Sequence, residues 1–146
     1  MTTPAIDLST YTVHCDVEVR FSDLDAMGHV NNATYLTYLE QGRVDYWRRL
    51  TGSADLASFN FILARVAIDY QRPIELCERV AVNLRVSEVG HKSFVVDYAL
   101  TSVDGTTLHA TARSVQVMFD YTSRQSCPVD ETLRARIAAF EGQRRS

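Results

Sequence analysis

Cysteine is scarce here: Cys15, Cys77 and Cys127 are three in number and widely separated. They form no CxxC pair and no zinc spacing with the four histidines, which argues against a disulfide scaffold and a zinc site. Thiols kept in a reducing compartment are the expectation. No Gly/Ser-rich linker, low-complexity tract or internal repeat marks a domain boundary, so residues 1–146 read as a single domain. No apolar run approaches the roughly 20 residues that a membrane helix needs. The opening MTTPAIDLSTYTVHCDVEV lacks a basic leader and an apolar segment, so no signal peptide is expected and the cytoplasm is the expected location. An excess of positive charge is missing too. The formal net charge of -3 gives no global attraction for nucleic acid, although a local basic patch can still hold a polyanionic ligand.

What is present suits a compact chain with a real core: 146 residues, 46% hydrophobic and 23% charged. Residues 13–21, VHCDVEVRF, alternate with Val13, Cys15, Val17, Val19 and Phe21 on one face, which predicts a strand. A polar stretch, 22–32, follows. Then Tyr35, Leu39, Gly42, Tyr46 and Leu50 recur at steps of four and three, with Leu36 and Trp47 widening the same face. This predicts a long helix lying deep against a sheet, stopped by Arg48, Arg49 and a C-cap at Gly52. Gly42 on its apolar face either admits a strand closely or is merely tolerated.

Residues 59–73, 78–90, 92–104 and 106–121 are rich in β-branched and aromatic residues and predict four strands, with short connections at Gly90-His91 and Asp104-Gly105. A last amphipathic segment, 128–142, carries Pro128 and the cap candidate Asp130 and predicts a peripheral helix. The core then spans about 13–121. Strand, helix, four strands is an α+β order, solved most simply by one curved antiparallel sheet wrapped around one long central helix. Its open edges call for a second subunit.

The chemistry concentrates in FSDLDAMGHVNN, residues 21–32. Asn31 or Asn32 stands where the helix begins, and asparagine is a favoured N-cap. The first N–H groups of a helix lack internal partners and carry positive potential, so that end can hold an oxygen that becomes negative during reaction. A carboxylate within reach completes an acyl-transfer pair. Asp23 and Asp25 are the candidates; Asp25 is closer, and Gly28 permits the turn that returns it to the helix tip. The same residues also suit a plain capping turn.

FSDLDAMGHVNNATYLTYLEQGRVDYW resembles the signature of the hotdog-fold acyl-CoA thioesterases, in the branch of the 4-hydroxybenzoyl-CoA thioesterases and their long-chain relatives. DLDAMGHVNN is also similar to the matching segment of plant acyl-carrier-protein thioesterases. IDYQRPIELCERVAVNLRVSEVGHKSFVVDYAL resembles the family's second block, and the likeness runs from about Val17 to about Tyr121.

The resemblance implies a hotdog fold and a thioester hydrolase with Asp25 as catalytic carboxylate, either nucleophile or base. It implies an oxyanion donor near Asn32 and His29 orienting the loop or polarising the carbonyl. Met27 stands where the plant enzymes have an asparagine, and Cys77-Glu78 replaces the family's usual Gly-Asp. No cofactor or metal is implied; coenzyme A enters as part of the substrate. Acyl-CoA or an acyl carrier protein would be the partner, with neither nucleic acid nor membrane, in a homodimer or homotetramer. Arg65, Arg72, His91 and Lys92 are candidates for the phosphates of coenzyme A. Tyr35, with Tyr38 and Leu39, is a candidate for lining the acyl chain. A hotdog protein that binds or senses acyl-CoA or an acyl carrier protein without catalysis is the alternative.

Overall fold

The computed structural model describes residues 6–53 and 59–143. The leader reading falls partly on residues 1–5, outside the described residues. Among the described residues, six strands and two α-helices follow one another as β1 (Val13–Glu18), α1 (Thr34–Thr51), β2 (Phe61–Tyr70), β3 (Arg79–Val89), β4 (Ser93–Ser102), β5 (Leu108–Asp120), β6 (Gln125–Ser126) and α2 (Glu131–Gln143). Five strands form an antiparallel sheet in the order β1-β3-β4-β5-β2, with β6 a short addition to β5. Register slips at Leu63/Arg65, Val86/Glu88 and Leu100/Thr101 are bulges of the kind that increase twist and curl a sheet. The result is the expected α+β architecture, with one long helix on the inner face of a curved sheet.

β1 is shorter than its alternation suggests. It ends at Glu18, and Phe21 opens a 3-10 turn, Phe21–Asp23, in which its ring is 81% exposed. The reason is local: the Asp23 carboxylate captures the Arg20 N–H at 2.9 Å and curls the chain out of the sheet.

α1 buries Tyr35, Tyr38, Leu39, Gly42, Tyr46, Trp47 and Leu50, and packs on β1 and β3. At Gly42 the two layers approach closely: a Cβ there would stand 2.8 Å from Val82 Cγ1 and 3.4 Å from Leu84 Cδ2. Of the two readings of this glycine, close approach is the one that holds. Gly52 adopts φ +71° and its N–H donates to Arg48 O at 2.7 Å, the expected left-handed stop. Leu36 departs from expectation and is exposed. Among the described residues the helix body packs chiefly on β1 and β3 and leaves the β4, β5 and β2 side of the sheet largely uncovered. Long side chains reach across, such as Trp47, whose ring stacks 6.2 Å from Phe94 and meets Phe61 edge-on at 4.9 Å.

α2 begins under the cap foreseen at Asp130, whose Oδ1 accepts the Leu133 N–H at 2.7 Å. Phe140 packs edge-on against Tyr46 at 5.1 Å. Glu141 reaches inward to accept from the Tyr46 hydroxyl at 2.5 Å, the Val86 N–H at 3.0 Å and the Thr12 hydroxyl. Among the described residues, no helix is long and apolar enough to cross a membrane.

Candidate active site

The loop between β1 and α1 separates its two aspartates. Asp23 is buried and faces inward. Besides the Arg20 N–H, its carboxylate accepts from the Tyr38 hydroxyl at 2.7 Å and the Arg20 guanidinium at 3.2 Å. Burial alone would raise its pKa, but these bonds, the Arg20 N–H first, hold the carboxyl below its ordinary value. Every visible role of Asp23 is to tie the loop to α1.

Asp25 sits in a tight reversal. Its N–H donates to His29 O at 2.7 Å, and the Gly28 N–H donates to Asp25 O at 3.1 Å. Gly28 has φ +80° with open space around it, so the backbone conformation rather than crowding requires glycine. One carboxylate oxygen, Oδ1, accepts the N–H groups of Met27 at 2.9 Å and His29 at 3.3 Å. The other, Oδ2, has no partner among the described residues.

The loop then runs back into the helix. Val30 N–H donates to Ile74 O and Asn31 N–H to Asp23 O, both at 2.8 Å. Asn31 is the capping asparagine, although two residues earlier than a simple N-cap. Its Oδ1 accepts the Ala33 N–H at 2.8 Å and its carbonyl accepts the Thr34 N–H at 2.8 Å, while Ala33 occupies the N-cap position without a side-chain bond. The Asn32 N–H is left without a partner among the described residues. The Tyr70 hydroxyl, from the end of β2, holds the carbonyl of Asn32 at 2.8 Å, and its ring meets Tyr35 edge-on at 4.8 Å.

Asp25, His29, Asn32, Tyr35, Tyr70 and Arg72 thereby line one cleft of about 370 Å³. His29 Nε2 lies 3.8 Å from Glu75 Oε1, and the two residues also share a backbone bridge. A carboxylate oxygen and a backbone N–H, each without a partner among the described residues and each on a residue that lines the cleft, can respectively activate a nucleophile and receive a developing oxyanion. A larger groove of about 520 Å³ runs along the β1 edge past Asp16, Glu18, Leu76, Cys77 and Arg79, but it lacks a helix tip.

Of the residues singled out from sequence, Asp25, His29, Asn32, Tyr35 and Arg72 come together here. Arg65, His91 and Lys92 do not. Arg65, on β2, is exposed and pairs with Val115 of β5, and its neighbour Val66 takes the inward position. His91 and Lys92 form the β3–β4 connection, and Lys92 O accepts from Met118 N–H. That is roughly 25 Å along β5 from Ala110, the partner of Tyr70. Tyr38 is spent on Asp23, and Leu39 is buried. Tyr70 and Glu75 were not foreseen, though Tyr70 lies in the DYQRP segment that already carried the family likeness. Among the described residues, no group of three or more His, Cys, Asp or Glu side chains is placed to hold a metal ion.

The family profile described as thioesterase-like superfamily matches residues 19–137. YsmA of Bacillus subtilis, which has no assigned function, is 30% identical over 61% of this chain, and the match spans 60% of YsmA's own length. The long-chain acyl-CoA thioesterase FadM of Escherichia coli is 25% identical, covering 83% of this chain and 93% of FadM. A Thermus thermophilus thioesterase, solved with coenzyme A and zinc, superimposes with a TM-score of 0.83 at 35% identity, covering 91% of this chain and 96% of that one. With its curved sheet around one long helix, this chain belongs to the thioesterase-like superfamily and has the hotdog fold.

Proposed function

We propose that this chain hydrolyses acyl-CoA thioesters, with Asp25 as the catalytic carboxylate and the Asn32 N–H as oxyanion donor. The observation that carries the reading is the pairing of the unfilled Asp25 Oδ2 with the unfilled Asn32 N–H on one cleft. Support comes from FadM, named an acyl-CoA thioesterase, and from the Thermus thioesterase that holds coenzyme A.

In this mechanism the substrate carbonyl points its oxygen at the Asn32 N–H, at the positive end of α1. Asp25 takes a proton from water as it adds to the carbonyl carbon, or attacks that carbon itself to give an anhydride that water then opens. Either route breaks the C–S bond and releases a carboxylic acid and the coenzyme A thiol. The oxyanion forms at the same N–H in both, and one such donor is typically worth ~10²–10³ in rate. His29, beside Glu75, orients the loop, and Arg72 at the cleft receives phosphate charge.

A homodimer fits the edges of the sheet. β2 is an edge strand exposing Ile62, Leu63 and Tyr70, and a second copy of that edge would cover them. The reading is tested by thiol release from a panel of aromatic and aliphatic acyl-CoAs. Saturable binding of acyl-CoA with no thiol release from any member would replace the enzyme with a binding protein.

A further inference from the structure

Asn32 carries the oxyanion donor of the mechanism above, yet its own segment does little to hold it. The residue is exposed, and its N–H has no partner among the described residues. The bonds that start α1 pass it by: Asn31 Oδ1 accepts the Ala33 N–H and Asn31 O accepts the Thr34 N–H, both at 2.8 Å. Ala33, at the N-cap position, adds no side-chain bond. Among the described residues one hydrogen bond reaches Asn32, and it comes from another part of the fold. The Tyr70 hydroxyl donates to the Asn32 carbonyl at 2.8 Å.

Tyr70 is itself firmly placed. It ends β2 in register with Ala110 of β5. Directly after it, Gln71 and Arg72 donate their N–H groups to His109 O, at 2.8 and 3.1 Å. The buried His109 ring adds a third bond, with Nδ1 3.2 Å from Arg72 O. Because a carbonyl only accepts, that nitrogen carries the proton. The sheet thus grips the chain on both sides of Tyr70. The Tyr70 ring lies edge-on to Tyr35, buried in the first turn of α1, with centroids 4.8 Å apart. Burial pushes the Tyr70 hydroxyl above its ordinary value, so it stays protonated and able to donate at neutral pH.

A residue has two soft backbone dihedrals, and holding the peptide planes on either side of it fixes both. The Thr34 N–H holds the plane between Asn31 and Asn32 through Asn31 O. Tyr70 holds the next plane through Asn32 O. We propose that Tyr70 is a positioning residue of the active site, whose hydroxyl ties Asn32 to the sheet and so keeps the Asn32 N–H aimed at the developing oxyanion. The inference rests on the thioesterase reading and deepens it. A donor fixed before the oxyanion forms needs no reorganisation at the moment of reaction. Tyr70 acts through Asn32, so its effect belongs to the transition state rather than to binding of the ground state.

Tyr70→Phe removes the hydroxyl and keeps the ring against Tyr35. Wild type, Tyr70→Phe and Asp25→Asn are compared by thiol release from a panel of aromatic and aliphatic acyl-CoAs, and by NMR relaxation of the Asn32 amide. Tyr70 is half-exposed, so its variant keeps the fold, which thermal melts check. Tyr70→Phe should lower kcat about tenfold or more, part of the ~10²–10³ that losing an oxyanion donor costs, with KM within about twofold. The Asn32 amide resonance should move, and its order parameter should fall from the rigid range near ~0.85 toward ~0.6. An Asn32 amide unchanged in both resonance and order parameter would overturn the brace, whatever the kinetics. So would a kcat within about twofold of wild type, or a rise in KM as large as the fall in kcat, which would make Tyr70 a contact to the substrate. An inactive Asp25→Asn beside a fully active Tyr70→Phe would remove the brace and leave the hydrolase standing. Wild type that releases no thiol from any member of the panel would end both.

Discussion

The two aspartates of the β1–α1 loop should separate cleanly when each is changed to asparagine. In Asp25→Asn the amide oxygen can still accept the Met27 and His29 N–H groups that Oδ1 accepts now. The reversal therefore survives, and stability should change by less than about 1 kcal/mol. What disappears is the free carboxylate oxygen on the cleft, and the loss of a positioned base typically costs ~10²–10⁴ in rate. Asp23→Asn inverts the pattern. Three donors converge on that buried carboxylate, two from Arg20 and one from Tyr38. An amide offers one acceptor oxygen, so at least one donor is left facing an NH₂ group. A lost hydrogen bond to a charged group costs about 1.5–3 kcal/mol. In a chain of this length that is a fall of roughly 5–10 °C in Tm. Thiol release and thermal melts on the same preparations make the assay. Asp25→Asn turning over within a few-fold of wild type would refute the assignment, as would Asp23→Asn losing turnover with an unchanged Tm.

The remaining expectations concern the frame. Because the Asp23 carboxyl is held below its ordinary value, the unfolded chain takes up that proton first as pH falls. Its stabilising contribution is thus complete above the ordinary range near 3.9 and disappears as pH drops through the folded value; urea melts across pH should show this in wild type and not in Asp23→Asn. Gly42→Ala places a Cβ 2.8 Å from Val82 Cγ1. Overpacking of about 1–3 kcal/mol should outweigh or cancel the roughly 1 kcal/mol that alanine gains in a helix, whereas a net gain of that size would show the contact to be slack. Glu141→Ala strands the Tyr46 hydroxyl and the Val86 N–H, so urea melts should show a loss of about 2–4 kcal/mol, with faster amide exchange in α2.

Much of this was legible because periodicity reports burial. The steps from Tyr35 to Leu50 located α1, and the glycine in that stripe marked the approach of Val82. Asp130 and Gly52 announced the ends of helices by chemistry that acts within a turn. Phe21 misled because alternation cannot see Asp23 pulling the Arg20 N–H out of the strand. Leu36 misled because an apolar stripe says nothing about how far a neighbouring layer extends. In the site, the residue types near the helix tip were readable, but the division between Asp23 and Asp25 was not visible in spacing alone. It depends on Tyr38 and Arg20 meeting one carboxylate and not the other. Tyr70 and Glu75 escaped notice for a related reason, since they reach the site from the far edge of the sheet and from the turn beyond it.

The most direct measurement is a crystal structure with an acyl-CoA analogue that keeps the carbonyl but replaces the thioester sulfur with methylene. The account predicts the carbonyl oxygen about 2.7–3.2 Å from the Asn32 nitrogen. It predicts the carbonyl carbon within ~3.5 Å of Asp25 Oδ2, or one bridging water away. A carbonyl bound along the β1 groove, or held in the cleft with Asp25 turned away from it, would contradict the account.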